Sequence, residues 1–239
     1  MRCASFLLVG EQPAYVERMV ESIKDVHGIP VVQMTDLKSP KVKGVDEVVR
    51  LPFKVPLMLY RLKHLSLYRH TEMLIVDTDV IAKRPVDDVW EIDFDVGLTF
   101  RNPGELYTGD GIDRANDMPF NTGVMFSRGN AFWRDCYSWL THGTPEQQRW
   151  YGDQLAVANV ARRETHSVLG LLCSEFNWSP SHRDDTSDAR FWHYKGAVRK
   201  KWITDDYGQN RSSHEGQREV LGGIVAGPSV SQDRGQPTV

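Results

Sequence analysis

With 239 residues the chain can bury a full core within one domain of ordinary size. A formal net charge of −3 argues against the bulk attraction that marks a nucleic-acid-binding surface. The three cysteines, Cys3, Cys136 and Cys173, are too far apart for a disulfide framework or a zinc-ligand spacing. No apolar run approaches the ~20 residues of a membrane span, and Met1 to Gly10 is too short for a secretory leader, so a soluble, cytoplasmic protein is expected.

Ala4 to Val9 reads as a buried first strand, and Pro13 to Asp25 as a helix with Val16, Met19, Val20 and Ile23 at helical spacing. Pro30 to Met34 and Glu47 to Leu51 read as two further strands. Pro56 to Tyr68 returns to a helix, its Leu59, Leu62, Leu65 and Leu67 mostly on one side. The apolar run Leu74 to Ile81 then reads as one strand carrying Asp77 and Asp79. Strands are expected at Asp95 to Phe100 and Gly123 to Ser127, separated by a polar, Gly-rich insertion from Asn102 to Pro119 of the kind that often belongs to a site. Helices follow at Ala131 to Leu140 and Gln148 to Arg162, then a strand at Val168 to Cys173. Alternating strands and helices predict an α/β fold with a mixed, mainly parallel sheet flanked by helices. A single folded domain is expected over residues 1–202, with 203–239, rich in Gly, Ser, Gln and Arg, as a flexible tail.

Asp77-Thr78-Asp79 is the most informative feature. In an extended strand, side chains two residues apart share a side at roughly 6 to 7 Å, so both carboxylates can address one object. Hard oxygen donors suit magnesium or manganese, ions held in phosphate-handling sites by one or two carboxylates plus the substrate's phosphates. The competing reading is an acidic turn. His193 is the natural third protein ligand, and a mixed Asp, Asp, His set leans toward manganese; the alternative places it in an aromatic cluster with Trp192 and Tyr194. Gly196 permits close backbone approach to a phosphate, and Arg199, Lys200 and Lys201 supply positive charge, unless they form a solvated basic turn. Asn121-Thr122-Gly123 offers donors that could read a sugar's hydroxyls, or an ordinary turn into an edge strand. Asp153-Gln154 could serve the site or cap a helix. Arg61, on the helix before the acid pair, could reach a diphosphate or stand as a surface cation.

In this order the motifs resemble the nucleotide-sugar glycosyltransferases of the GT-A fold, and most closely glycosyltransferase family eight, which includes glycogenin and galactosyltransferase-like enzymes. Tyr60-Arg61-Leu62 ahead of Leu74-Ile75-Val76-Asp77-Thr78-Asp79-Val80 looks like the family's Arg-bearing helix and DxD strand. Asn121-Thr122-Gly123 looks like its NxG segment, Asp153-Gln154 like its DQ pair, and His193-Tyr194-Lys195-Gly196 like the start of its HxxGxxKPW element. Arg199-Lys200-Lys201-Trp202 departs from the end of that element, with no Pro and the Trp one place late. The resemblance implies a Rossmann-like domain that binds a nucleoside diphosphate sugar, most often a UDP-sugar. It implies Mn2+ or Mg2+ on Asp77, Asp79 and His193, with Arg61, Thr78, Gly196 and Lys200 on the donor side. Asp153 would contact the transferring sugar, Asn121 and Gln154 would position sugar and acceptor, and the outcome would be retention at the anomeric carbon.

Two other readings remain open at this stage. Haloacid dehalogenase-like phosphohydrolases also carry DxD after an apolar strand, but Ile81 stands where they place Thr or Val, and their nucleophile follows the first strand rather than the fourth. A non-catalytic nucleotide-sugar or carbohydrate-binding protein would use the same cleft without turnover. No residue pattern names the acceptor, the sugar or the oligomeric state.

Overall fold

The computed structural model describes residues 2–69, 71–101 and 116–203. The expected insertion from Asn102 to Pro119 lies outside the described residues up to position 115, and the expected tail of 203–239 lies outside them from position 204.

The chain order is β1 (Arg2–Leu7), α1 (Tyr15–His27), β2 (Val31–Thr35), β3 (Glu47–Arg50), α2 (Leu57–Leu67), β4 (Glu72–Val76), β5 (Val80–Ala82), a short 3-10 turn (Asp87–Glu91) and β6 (Val96–Phe100). Then come β7 (Phe120–Arg128), α3 (Ala131–Thr141), α4 (Gly152–Ala161), β8 (Val168–Leu171), α5 (Cys173–Phe176) and β9 (Phe191–His193). Seven strands form one sheet in the order β3-β2-β1-β4-β7-β6-β8. β7 runs antiparallel to both its neighbours, and the other pairings are parallel. The expected α/β class with a mixed, mainly parallel sheet is therefore the fold observed.

Burial explains why the inner strands were legible. β2 is buried at all five positions, and β1 at its four central ones, as expected for parallel strands covered on both faces. On one face Cys3, Met34, Met73, Ile75, Leu98 and Met125 pack with Leu59, Leu62 and Leu65 of α2 and with Phe132, Trp133 and Cys136 of α3. α1 lies against β2 and β5 through Val16, Met19, Val20 and Ile23. It ends at Gly28, whose φ of 62° lets its N–H reach the Lys24 carbonyl at 2.9 Å.

Three expectations need correction. The strand expected from Leu74 to Ile81 is two strands. β4 stops at Val76, a turn closes with the Val80 N–H on the Asp77 carbonyl, and β5 leaves the main sheet to pair antiparallel with β9. Asp77 and Asp79 therefore meet across a turn and not along a pleat. The strand expected from Gly123 begins at Phe120, so Asn121 and Thr122 lie inside β7 and not in a turn before it. The helix expected from Gln148 begins at Gly152, because Thr144 and Gln147 exchange side-chain to backbone hydrogen bonds that hold the preceding segment in turns.

Candidate active site

The chain lays β1, β2 and β3 outward on one side, then returns to place β4 on the other side of β1. Ligands of open α/β sheets collect at this reversal, beyond the carboxyl ends of the strands. A cleft of about 180 Å3 lies there, with Leu7 at the end of β1 and Asp77, Thr78 and Asp79 just past β4. Arg61, Asp153, Gln154 and Lys200, all expected on sequence grounds, also line it. Asn121, Gly196 and His193 do not form its wall.

The backbone fixes the acid turn from both sides. The Asp77 N–H donates to the Gly123 carbonyl at 2.9 Å, which continues the β4–β7 ladder past Val76 opposite Val124. The Tyr194 N–H donates to the Asp79 carbonyl at 2.9 Å, and Val80 pairs with His193. The two-stranded ribbon thus carries His193 beside the carboxylates. Because side chains alternate along β9, Trp192 points away to meet Trp178 while His193 is buried against the acid turn. The aromatic-cluster reading therefore describes Trp192, and not His193.

One oxygen each from Asp77 and Asp79 and one nitrogen of His193 lie within 4.8 Å of one another. His193 Nε2 stands 3.2 Å from Asp79 Oδ1 and 3.8 Å from Asp77 Oδ2. The other ring nitrogen, Nδ1, stands 2.7 Å from Asn177 Oδ1, an amide oxygen that only accepts, so Nδ1 carries the proton. Nε2 and the two carboxylate oxygens are then three electron-pair donors facing one another, and a cation, proton or metal, must lie between them. This donor set fits a divalent ion.

Positive charge flanks the carboxylates. Lys200 Nζ lies 3.1 Å from Asp79 Oδ2. Burial pushes the Asp79 carboxyl up, but the hydrogen bond and charge of His193, with Lys200 added, outweigh it and hold the group at about 2. Arg61 is buried and donates to Asp77 Oδ1 at 2.9 Å, to Asp153 Oδ2 at 2.9 Å and to the Thr122 carbonyl at 3.0 Å. Burial disfavours its charge, yet Asp77 and Asp153 more than restore it and raise the guanidinium above its ordinary value. Arg61 is thus no surface cation. It holds Asp77 Oδ1 and leaves Oδ2 turned to His193.

Asp153 sits in the first turn of α4, 2 % exposed, with Oδ1 accepting the Gln154 N–H at 2.9 Å and Oδ2 shared by Arg61 and the Thr122 hydroxyl. Burial pushes its carboxyl up, and Arg61 opposes this. The Gln154 side chain accepts from Arg101. Asn121 Oδ1 accepts the Gly123 N–H at 2.9 Å, so the amide serves its own strand. Gly196, at φ 86°, turns the chain from β9 into the helical residues 197–203 that aim Lys200 at Asp79. Arg199 bonds the Lys195 carbonyl, which separates the two cations in role.

Sequence reasoning missed Asn177 and Trp150. Asn177 belongs to no motif, and its contact with His193 spans 16 residues. Trp150 lines the cleft mouth with 74 % of its surface exposed, and only the fold separates it from the core tryptophans.

No protein-family model matches the sequence, and no curated protein matches it. Among solved structures the fold is similar to a crystal structure of the galactosyltransferase LgtC in complex with donor and acceptor sugar analogues. The TM-score is 0.55 and the identity 16 %, over 86 % of this chain and 95 % of that one. The likeness is one of fold, and that fold is of the GT-A type.

Proposed function

We propose that this GT-A-type chain is a metal-dependent glycosyltransferase of the hexosyltransferase type, moving a sugar from a nucleoside diphosphate sugar, most often a UDP-sugar, to an acceptor. The observation that carries the reading is the convergence of Asp77, Asp79 and His193 at the topological switch point, flanked by Arg61 and Lys200.

Asp77, Asp79 and His193 would hold the ion, manganese by the mixed donor set and magnesium as the alternative. A divalent cation bound there supplies a Lewis acid for the negative charge that develops on the departing diphosphate. The chain's own groups prepare that chemistry. Arg61 keeps Asp77 aimed, and Asp153 and the Thr122 carbonyl hold Arg61 in turn. Lys200 adds a fixed positive charge on the phosphate side, a contribution that grows as the cleft excludes water. Gln154 and Asp153 line the same cleft as the acid turn, and the family resemblance assigns them, with Asn121 of β7, to the transferring sugar and its acceptor. Trp150 offers an apolar face at the entrance on which a sugar ring could stack. Retention at the anomeric carbon follows the family resemblance.

Thermal stabilisation by UDP, GDP and their sugars, each with and without Mn2+, tests the reading beside Asp79→Ala, because a ligand that binds only the folded state raises its stability. A shift that needs both one nucleotide and the metal, and that disappears in the variant, supports it. No shift with any nucleotide overturns it. Phosphate release from simple phosphomonoesters would replace it with a phosphohydrolase, and donor binding without turnover with a binding protein.

A further inference from the structure

His193 does not orient itself. Its ring is bounded by two residues outside the ligand set, Asn177 and Gly123. The Asn177 side chain is fully buried, and its Oδ1 faces His193 Nδ1 at 2.7 Å. Its Nδ2 finds no hydrogen-bond partner among the described residues. A buried amide left half-satisfied costs on the order of 1–3 kcal/mol, which an apolar side chain of similar size would avoid. The retained half of the amide is the acceptor on His193.

The backbone reinforces this placement. The Asn177 N–H closes α5 on the carbonyl of its first residue, Cys173, Trp178 donates to Phe191, and His193 donates back to the Trp178 carbonyl at 2.7 Å. The Ser179 hydroxyl donates to the His193 carbonyl. Residues 177–179 thus form a rail along β9 that fixes Asn177 against the ring. Gly123 of β7 also stands against the ring. A Cβ at this position would lie 2.3 Å from His193 Cε1 and 2.4 Å from Nδ1, far inside contact distance. The ring therefore occupies the space a side chain would fill.

We infer that Asn177 is a positioning residue that fixes His193 with its proton on Nδ1 and so presents Nε2 beside Asp77 and Asp79 as the third protein ligand of the cation, with Gly123 leaving room for the ring. The inference rests on the metal reading above. Partners of a ligating histidine's second nitrogen set its tautomer and orientation, and their loss typically lowers metal affinity about 10–100-fold.

The test uses the full chain and Mn2+ alone. Titration followed by the electron paramagnetic resonance of free Mn2+ gives affinity, and electron spin echo modulation shows whether an imidazole nitrogen touches the ion. Asn177→Leu is expected to weaken Mn2+ about 10–100-fold and to lose the nitrogen modulation. Asn177→Asp, which keeps an acceptor, should retain both. A folded Asn177→Leu protein with wild-type affinity and modulation overturns the inference. Nitrogen-15 histidine spectra of the metal-free wild type form a second measurement that needs no variant. At a pH where the ring is neutral, a proton on His193 Nδ1 with Nε2 bare supports the inference, and a bare Nδ1 overturns it. Wild type that binds no Mn2+ sinks the metal reading, and the same spectra still decide what Asn177 does to the ring.

Discussion

Arg61 on α2 donates to Asp153 on α4 at 2.9 Å, a pair 92 residues apart in sequence with both side chains buried. Removing one partner of such a pair leaves an uncompensated buried charge, which typically costs about 3–5 kcal/mol. Asp153→Ala should therefore destabilise the fold by roughly that amount in urea unfolding, although Asp77 still faces the guanidinium and reduces the loss. The double variant Arg61→Leu with Asp153→Leu should cost less than the two single changes added together. Additive costs would mean that the two residues do not act as a pair.

Gly123→Ala is expected to be far worse than its one added methyl suggests. Position 123 carries no positive φ, so the strain is steric, against His193 and against Asn121 Oδ1 at 3.0 Å. Overpacking of this kind costs about 1–3 kcal/mol. It should also weaken Mn2+ binding, because the ring must leave its place. Gly170→Ala supplies the contrast. Its Cβ would meet Phe100 Cε2 at 2.5 Å, but Phe100 is 46 % exposed and free to swing outward. Unfolding midpoints and Mn2+ titrations should separate the two variants, with Gly170→Ala close to wild type in both.

These residues also show what the sequence could reveal. Parallel strands buried on both faces are near-continuous apolar runs, so β1 and β2 could be placed within a few residues, and an acid pair after such a run drew attention to Asp77 and Asp79. Leu74 to Val76 and Val80 to Ala82 ran together as one strand because an apolar period does not record a turn between two acids. What sends Val80 into a second ribbon is its pairing with His193, a contact over 100 residues away that no local pattern carries. The order of motifs brought His193 and Lys200 to the same site as the acid pair. Asn177 escaped because its significance is one hydrogen bond, and the role of Gly123 escaped because an absent side chain leaves no mark except the ring that fills its space.

The depressed carboxyl of Asp79 makes a pH prediction. Its folded value of about 2 lies below the ordinary 3.8, so its contribution to stability is present above pH 4 and is lost as pH falls toward 2. The increment is on the order of 2 kcal/mol, since each unit of separation corresponds to about 1.4 kcal/mol and the side chain is largely buried. Urea unfolding of metal-free protein at pH 5 and pH 3 should show wild type losing more stability between the two than Asp79→Asn. Equal losses would mean that other carboxylates carry the acid sensitivity.

Lys200 provides the sharpest separation of roles, because its ammonium sits beside one ligand of the cation and on the side where a diphosphate would lie. It bonds Asp79 Oδ2 at 3.1 Å and lies over the Tyr15 ring, so its charge competes directly with a second cation for Asp79. Lys200→Met should therefore tighten Mn2+ binding in the absence of nucleotide, roughly tenfold for a charge interaction of about 1.4 kcal/mol at a partly screened distance. With nucleotide present the sign reverses, since the lost positive charge no longer meets the phosphates, and UDP should bind more weakly in the presence of saturating Mn2+. Isothermal titration of each ligand separately measures both effects. Opposite signs would place Lys200 between metal and phosphate, whereas weakening of both ligands would assign it to holding the acid turn in shape.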